Sequence, residues 1–231
     1  MKKLILYGLL MSFSIIANAQ WKFNFVGGPN LANFNGSEKK DWGGTETDPK
    51  IVIRFHLGFT GERLISEKWM GGAGLQFSTK GASYTGDVDF YNMTTFELEK
   101  LSVRYNKVLS YIDIPIYLKY IASEKVDILM GLQPSILMSA KIKNDDNAIK
   151  AFPSLPKKED AKDYYNSIDG AIIIGPQYKI NEKIALQLLY KYGFIKIAKY
   201  SEYDYTSNSD TEKKYKVGNS VFAFAVSYNL K

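Results

Sequence analysis

Cysteine is absent from all 231 residues, which removes disulfides, thiol nucleophiles, Cys-based metal sites and lipid attachment through an N-terminal Cys. Histidine is nearly absent: His56 stands alone, with no hydroxyl motif around it of the kind that nucleophilic catalysis needs. A basic stripe is missing too, because the 30 Lys and Arg are interleaved with 24 Asp and Glu, so no nucleic-acid partner is expected. No apolar run reaches the ~18 residues of a helical membrane span. The acidic "NDDN" at 144–147 lacks the rest of an EF-hand loop and reads as a solvated loop tip, and no metal or cofactor is expected.

What is present begins with an export signal. Met1-Lys2-Lys3 forms a positive n-region, Leu4 to Ile16 an apolar h-region, and Ala17-Asn18-Ala19 an A-x-A cleavage site. Residues 1–19 are expected to be a cleaved signal peptide and 20–231 a single domain. Without Lys2 and Lys3 the net charge falls from +6 to +4.

Three similar triplets, "SEK" at 66–68, "SEK" at 123–125 and "NEK" at 181–183, recur 57 and 58 residues apart. Each is flanked by period-two alternation, the mark of a strand with two different environments. Ile51, Ile53, Phe55, Leu57 and Phe59 share one face of the segment before the first triplet, opposite Arg54, His56, Thr60 and Glu62. The second triplet is entered by "VLSYIDIPIYLKY" and left by "VDILMGLQPSILMSAK", whose polar faces carry Lys107, Asp113 and Lys119, then Asp127, Gln133, Ser135, Ser139 and Lys141. The third sits between "SIDGAIIIGPQYK" and "IALQLLYKYGF". Three hairpins make six strands, and "WKFNFVGGPNLANF" and "VGNSVFAFAVSYNL" at the chain ends make eight.

The four remaining connections are long, roughly 35–50, 81–102, 142–165 and 197–216. Short turns on one side, long loops on the other and an even strand number give the expected fold class: all-β, an eight-stranded antiparallel up-and-down transmembrane β-barrel with short periplasmic turns and long extracellular loops. Trp21, Trp69, Tyr120, Tyr178 and Tyr228 all fall at the short-turn ends on or near the apolar face, as a periplasmic aromatic girdle requires. The alternative is a soluble periplasmic lipocalin-like ligand binder, in which the apolar face would point inward. Loop 2 and loop 4 mix Tyr and Phe with charge, which suits either recognition or hairpins prolonged above the bilayer; loop 3, with two prolines, is expected to be irregular or briefly helical.

"YIDIPIYLKY" at 111–120 resembles the strand of aromatic, aliphatic, acid, aliphatic, Pro, aliphatic, Leu-Lys-Tyr found in the PorT-like outer-membrane β-barrel family, and "GGPNLANF" at 27–34 is similar to its Gly-rich first strand. Asp113 stands where Glu is expected, which shortens the reach of that carboxylate. The resemblance implies a small integral barrel of a Gram-negative outer membrane, surrounded by lipid, with a protein partner in a secretion or envelope machine as an alternative role.

An eight-stranded barrel has an interior just wide enough for side chains to fill. Lys22, Glu62, Gln76, Lys80 and Gln187 are expected to point inward, together with a lumenal polar network of Arg54, His56, Asp113, Lys119, Asp127, Asp169 and Lys191, because charges withdrawn from water must be paired. A proton or ion pathway through that network is the sharper alternative. The function expected from these features is a monomeric, non-catalytic barrel with a structural or surface-interaction role, and no enzyme activity.

Overall fold

The computed structural model describes residues 21–40, 42, 47–92, 96–204 and 209–230, with the side chains of 200–214 outside the description. The expected signal peptide, residues 1–19, lies outside the described residues. Among the described residues, thirteen strands and one short α-helix follow in order: β1 (Lys22–Asn35), β2 (Asp48–Lys50), β3 (Val52–Ser66), β4 (Trp69–Asn92), β5 (Glu97–Asp113), β6 (Ile116–Ile121), β7 (Val126–Asn144), α1 (Asp146–Ala151), β8 (Lys158–Asp160), β9 (Ile168–Lys179), β10 (Ile184–Gly193), β11 (Lys199–Asp204), β12 (Ser209–Lys214) and β13 (Gly218–Asn229).

Antiparallel pairing runs β1–β3–β4–β5/β6–β7–β9–β10–β13 and returns from β13 to β1, where Asn24 faces Asn229 and Asn35 faces Gly218. β5 and β6 are two halves of one strand. Pro115 has no N–H to give the ladder, yet the break stays laced: Ile114 N donates to Pro134 O at 2.8 Å and Gly74 N to Pro115 O at 2.9 Å. Eight strands therefore close on themselves with no free edge.

The recurring triplets are turn chemistry. Ser123 Oγ accepts from Val126 N at 3.1 Å, and Asn181 Oδ1 accepts from Lys183 N at 2.9 Å and Ile184 N at 2.8 Å, so these side chains replace backbone partners in the bend. At the opposite end β4 and β5 remain paired from Gln76–Asp113 up to Asn92–Glu97, so most of loop 2 is a hairpin standing above the barrel. Loop 3 holds α1, N-capped by Asp145 Oδ1 accepting from Ala148 N at 2.8 Å, and a 3-10 turn at Lys162–Tyr164. β2 and β8 pair with the upper parts of β4 and β7, and β11 pairs with β12.

The two faces are sorted in the opposite sense from a soluble barrel. Phe25, Ile53, Phe59, Leu75, Ile172 and Phe222 point outward and are exposed, whereas His56, Lys80, Asp113, Asp127, Asp169 and Lys191 are buried inside. One expectation about the faces fails. Ser110 faces Ser139 but Tyr111 faces Leu137, leaving Met138 as an extra residue in β7. This β-bulge reverses the side-chain phase above it. Ala140 and Ile142 therefore turn inward, and Ser139 and Lys141, expected on the inner face, do not.

Candidate functional site

Inward-facing polar positions from all parts of the wall converge at mid-lumen. Lys80 Nζ, on β4, lies 3.1 Å from Asp113 Oδ1 and 3.3 Å from Asp169 Oδ2, and donates to Ser135 Oγ at 3.2 Å. Both carboxylates have no solvent exposure. Asp113 Oδ2 accepts from Ser78 Oγ at 2.6 Å and Gln133 Nε2 at 2.8 Å; Asp169 accepts from Asn219 Nδ2 at 2.9 Å and from Gly170 N at 2.8 Å. The Lys80 ammonium also sits 4.4 Å from the centroid of the Tyr111 ring. Lys191 is buried on β10 and makes no ion pair among the described residues, and with it the two acids and two lysines balance in charge.

His56 and Ser78 are ladder partners on β3 and β4. Proximity does not make them a catalytic pair: His56 Nδ1 is 2.8 Å from Asn30 Oδ1, while the Ser78 hydroxyl gives its proton to Asp113. A nucleophilic serine needs its proton directed to a base such as the imidazole and a reacting carbon within reach, and both groups here are sealed in the wall.

Toward the short turns a second set of charges pairs separately. Lys119 meets Glu62, which also accepts from Tyr117 OH at 2.8 Å; Lys179 lies 2.7 Å from Asp127, which accepts from Gln177 Nε2 at 3.2 Å. Beneath them the lumen is not filled. A cavity of about 900 Å³ opens there, walled in part by Asn24, Glu62, Lys119, Asp127, Lys179 and Ser227.

The long-loop end is closed by apolar packing. Phe34, Tyr84, Leu109, Tyr111, Ile197 and Val217 form a buried cluster, with Trp42 of loop 1 laid over it. The Trp42 ring lies 5.6 Å from that of Tyr165 in loop 3 and 5.1 Å from that of Tyr215 in loop 4, so one indole ties three loops together. Lys107 Nζ donates to Trp42 O at 2.6 Å and stands 4.2 Å from the Trp42 ring centroid and 5.1 Å from that of Tyr84.

The seven residues expected in the lumenal network thus divide. His56, Asp113, Asp169 and Lys191 lie in the central layer, and Lys119 and Asp127 in the lower pairs. Arg54 joins neither: it is half-buried near the upper end of β3, and its Nη1 reaches the carbonyl of Ile53 at 3.3 Å, while Lys80 holds both central carboxylates. Lys80 itself, together with Ser78, Gln133, Ser135, Tyr111 and Asn219, completes the layer. Strand parity placed Lys80, Gln133 and Ser135 inward, but no local motif singled out Ser78, Tyr111 or Asn219. Of the five aromatics, Trp69 and Tyr120 are cross-strand neighbours with rings 5.0 Å apart, Tyr178 faces Val126 and Leu186, and Tyr228 faces Phe25 and Ile184. Trp21 immediately precedes β1, its ring 6.4 Å from that of Phe23.

Residues 11–199 match the family described as outer membrane protein beta-barrel domain. The chain belongs to this family. None of the curated proteins matches it. Solved structures to which it is similar include Neisserial surface protein A (13% identity, 90% of this chain and 97% of that one, TM-score 0.48), the attachment invasion locus protein Ail of Yersinia pestis in complex with the heparin analogue sucrose octasulfate (10%, 91% and 99%, 0.44), and the outer membrane protein W of Escherichia coli (13%, 90% and 97%, 0.38). As an outer membrane β-barrel protein it resides in the Gram-negative outer membrane, its aliphatic face in lipid, its short turns periplasmic and its long loops extracellular.

That placement fixes which ionisable groups of the barrel protein stand outside lipid. A tilted strand crosses in ~9 to 11 residues, and Lys107 is fourteen residues from Ile121 at the periplasmic turn. Burial under the extracellular loops brings the Lys107 ammonium down to about 7, and burial likewise pushes the Tyr84, Tyr105 and Tyr165 phenols up from their ordinary value.

Proposed function

We propose that the protein is a non-catalytic, non-conducting barrel of the PorT-like group that presents its long loops outside the cell in a structural or surface-interaction role. The observation that carries this reading is the double obstruction of the lumen, by the paired charges around Lys80 and by the apolar cluster under Trp42. Non-catalysis is supported by the engagement of His56 with Asn30 and of Ser78 with Asp113. The PorT-like assignment within the family rests on "YIDIPIYLKY" and "GGPNLANF".

A surface role is supported by the tip of the β4–β5 hairpin. Phe96 is 73% exposed and held at φ 58°, a conformation that bulky residues avoid, and Tyr91 and Leu98 are exposed beside it. Trp21, Trp69, Tyr120, Tyr178 and Tyr228 serve in this reading as the periplasmic girdle that fixes the barrel's depth. Planar-bilayer recording of the purified protein tests the proposal: it predicts no unit conductance steps, and reproducible steps that persist after purification overturn it.

A second reading, an accessory subunit of a secretion or envelope machine, is favoured by the periplasm-facing cavity. Affinity purification in mild detergent then recovers a stoichiometric partner; repeated recovery of a bare monomer counts against it.

A further inference from the structure

We propose that the periplasmic cavity is a binding site for an acidic, extended peptide segment of a periplasmic protein. The site goes beyond the surface role of the loops, since it opens on the other side of the membrane.

The wall offers hydrogen-bonding groups that the barrel does not itself use. The side chains of Asn24, on β1, and Ser227, on β13, are more than nine-tenths buried, line the cavity and have no hydrogen-bond partner among the described residues. Their neighbours do not share this state: Glu62 is engaged by Lys119 and Tyr117, and Asp127 by Lys179 and Gln177. An amide that both donates and accepts, beside a hydroxyl that does the same, matches the paired N–H and C=O of an extended main chain.

Charge sets the ligand's sign. The lining carries Lys22, Arg63, Lys119, Lys179 and Lys183 against Glu62, Asp127 and Glu182, an excess of two positive charges. Lys119 and Lys179 are neutralised by the carboxylates at the cavity floor, whereas Lys22, Arg63 and Lys183 make no ion pair among the described residues. A volume of about 900 Å³ falls within the range of pockets that enclose a ligand rather than a single ion. Membrane lipid is a poorer occupant, because its headgroups lie outside the barrel wall, on the side of Tyr178 and Tyr228, and the unused Asn24 and Ser227 groups face inside.

The test uses the full-length barrel folded in non-ionic detergent and fluorescently labelled hexaglutamate and hexaglutamine as probes in an anisotropy titration. Hexaglutamate should bind the tighter of the two, with an affinity that falls as salt rises. K22Q/K183Q should weaken hexaglutamate about three- to tenfold, the effect of removing two exposed charge contacts. N24L/S227A should weaken it by about threefold or more through lost hydrogen bonds, at unchanged charge. A heat-dependent gel shift establishes that each variant is folded. Equal binding of the two probes, or hexaglutamate binding that N24L/S227A leaves unchanged, overturns the proposal, the latter by reducing the site to general attraction of anions. Because conductance is not read, failure here is separate from failure of the surface role.

Discussion

Asp113→Asn changes one atom and removes one charge at the point where the lumenal network is densest. Asp113 meets Lys80 through Oδ1 at 3.1 Å and accepts from Ser78 and Gln133 through Oδ2. In the variant the amide nitrogen must face either the Lys80 ammonium or two donors, and no rotation satisfies all three. Removing one partner of a buried ion pair costs about 3–5 kcal/mol. Lys80 keeps Asp169 at 3.3 Å and Ser135 at 3.2 Å, so D113N belongs at the low end, about 3 kcal/mol. Lys80→Met leaves two carboxylates without their shared cation and should cost more, about 5 kcal/mol. Urea titration of the barrel in detergent micelles or vesicles, read by fluorescence of its three tryptophans and by the heat-dependent gel shift, gives both values. If D113N falls within about 0.5 kcal/mol of the parent, the range of ordinary surface substitutions, or proves worse than K80M, the pairing scheme is wrong.

Lys107 makes the extracellular closure pH-dependent. Its folded value of about 7 lies below the ordinary 10.5, so between these limits the unfolded state holds more protons and stability rises with pH, by up to about 1.4 kcal/mol per unit; below about 7 the contribution is flat. Limited proteolysis of loop 1 should slow accordingly between pH 7 and 10, and Lys107→Met should abolish the slope. Gly81 has φ +114°, and a Cβ there would lie 2.0 Å from Lys107 O, so Gly81→Ala should destabilise by at least ~2 kcal/mol in the same urea titration. Leu75, six residues above Trp69, faces lipid near mid-membrane, and Leu75→Lys should cost about 2–4 kcal/mol there, whereas Tyr91→Lys on the extracellular hairpin should change stability by less than about 0.5 kcal/mol.

Strands, turns and faces were legible because alternation has a period of two and every strand is half in lipid and half in the lumen. The alternating large apolar residues of β3 (Ile53, Phe55, Leu57, Phe59) and β13 (Phe222, Phe224, Val226, Tyr228) left no other phase open to them. The bulge at Met138 was not legible: nothing in "PSILMSAK" marks an extra residue, and one such residue is enough to reverse Ser139 and Lys141. Membership of the lumen followed from parity, but pairing did not, because partners come from strands far apart in sequence, as Lys80 and Asp169 do. Arg54 shows the limit: it has the right parity for the network, yet its Nη1 meets the Ile53 carbonyl and the central carboxylates are held by Lys80 on the next strand. The cavity was invisible for a similar reason. Its lining comes from strands far apart in sequence, Asn24 on β1 and Asp127 on β7 among them, which only the closed barrel brings together.

That the aliphatic face meets lipid, with the hairpin outside the cell and the triplet turns inside, is tested most directly by single-cysteine labelling, for which a chain without cysteine is already suited. Tyr91→Cys, Leu75→Cys and Lys125→Cys are each exposed to a polymer-linked maleimide, too large for porins, on intact cells and after the outer membrane is permeabilised. The predicted result is labelling of Tyr91→Cys on intact cells, of Lys125→Cys only after permeabilisation, and of Leu75→Cys only after the protein is denatured. Labelling of Lys125→Cys on intact cells, or of Leu75→Cys in the folded protein, would contradict it.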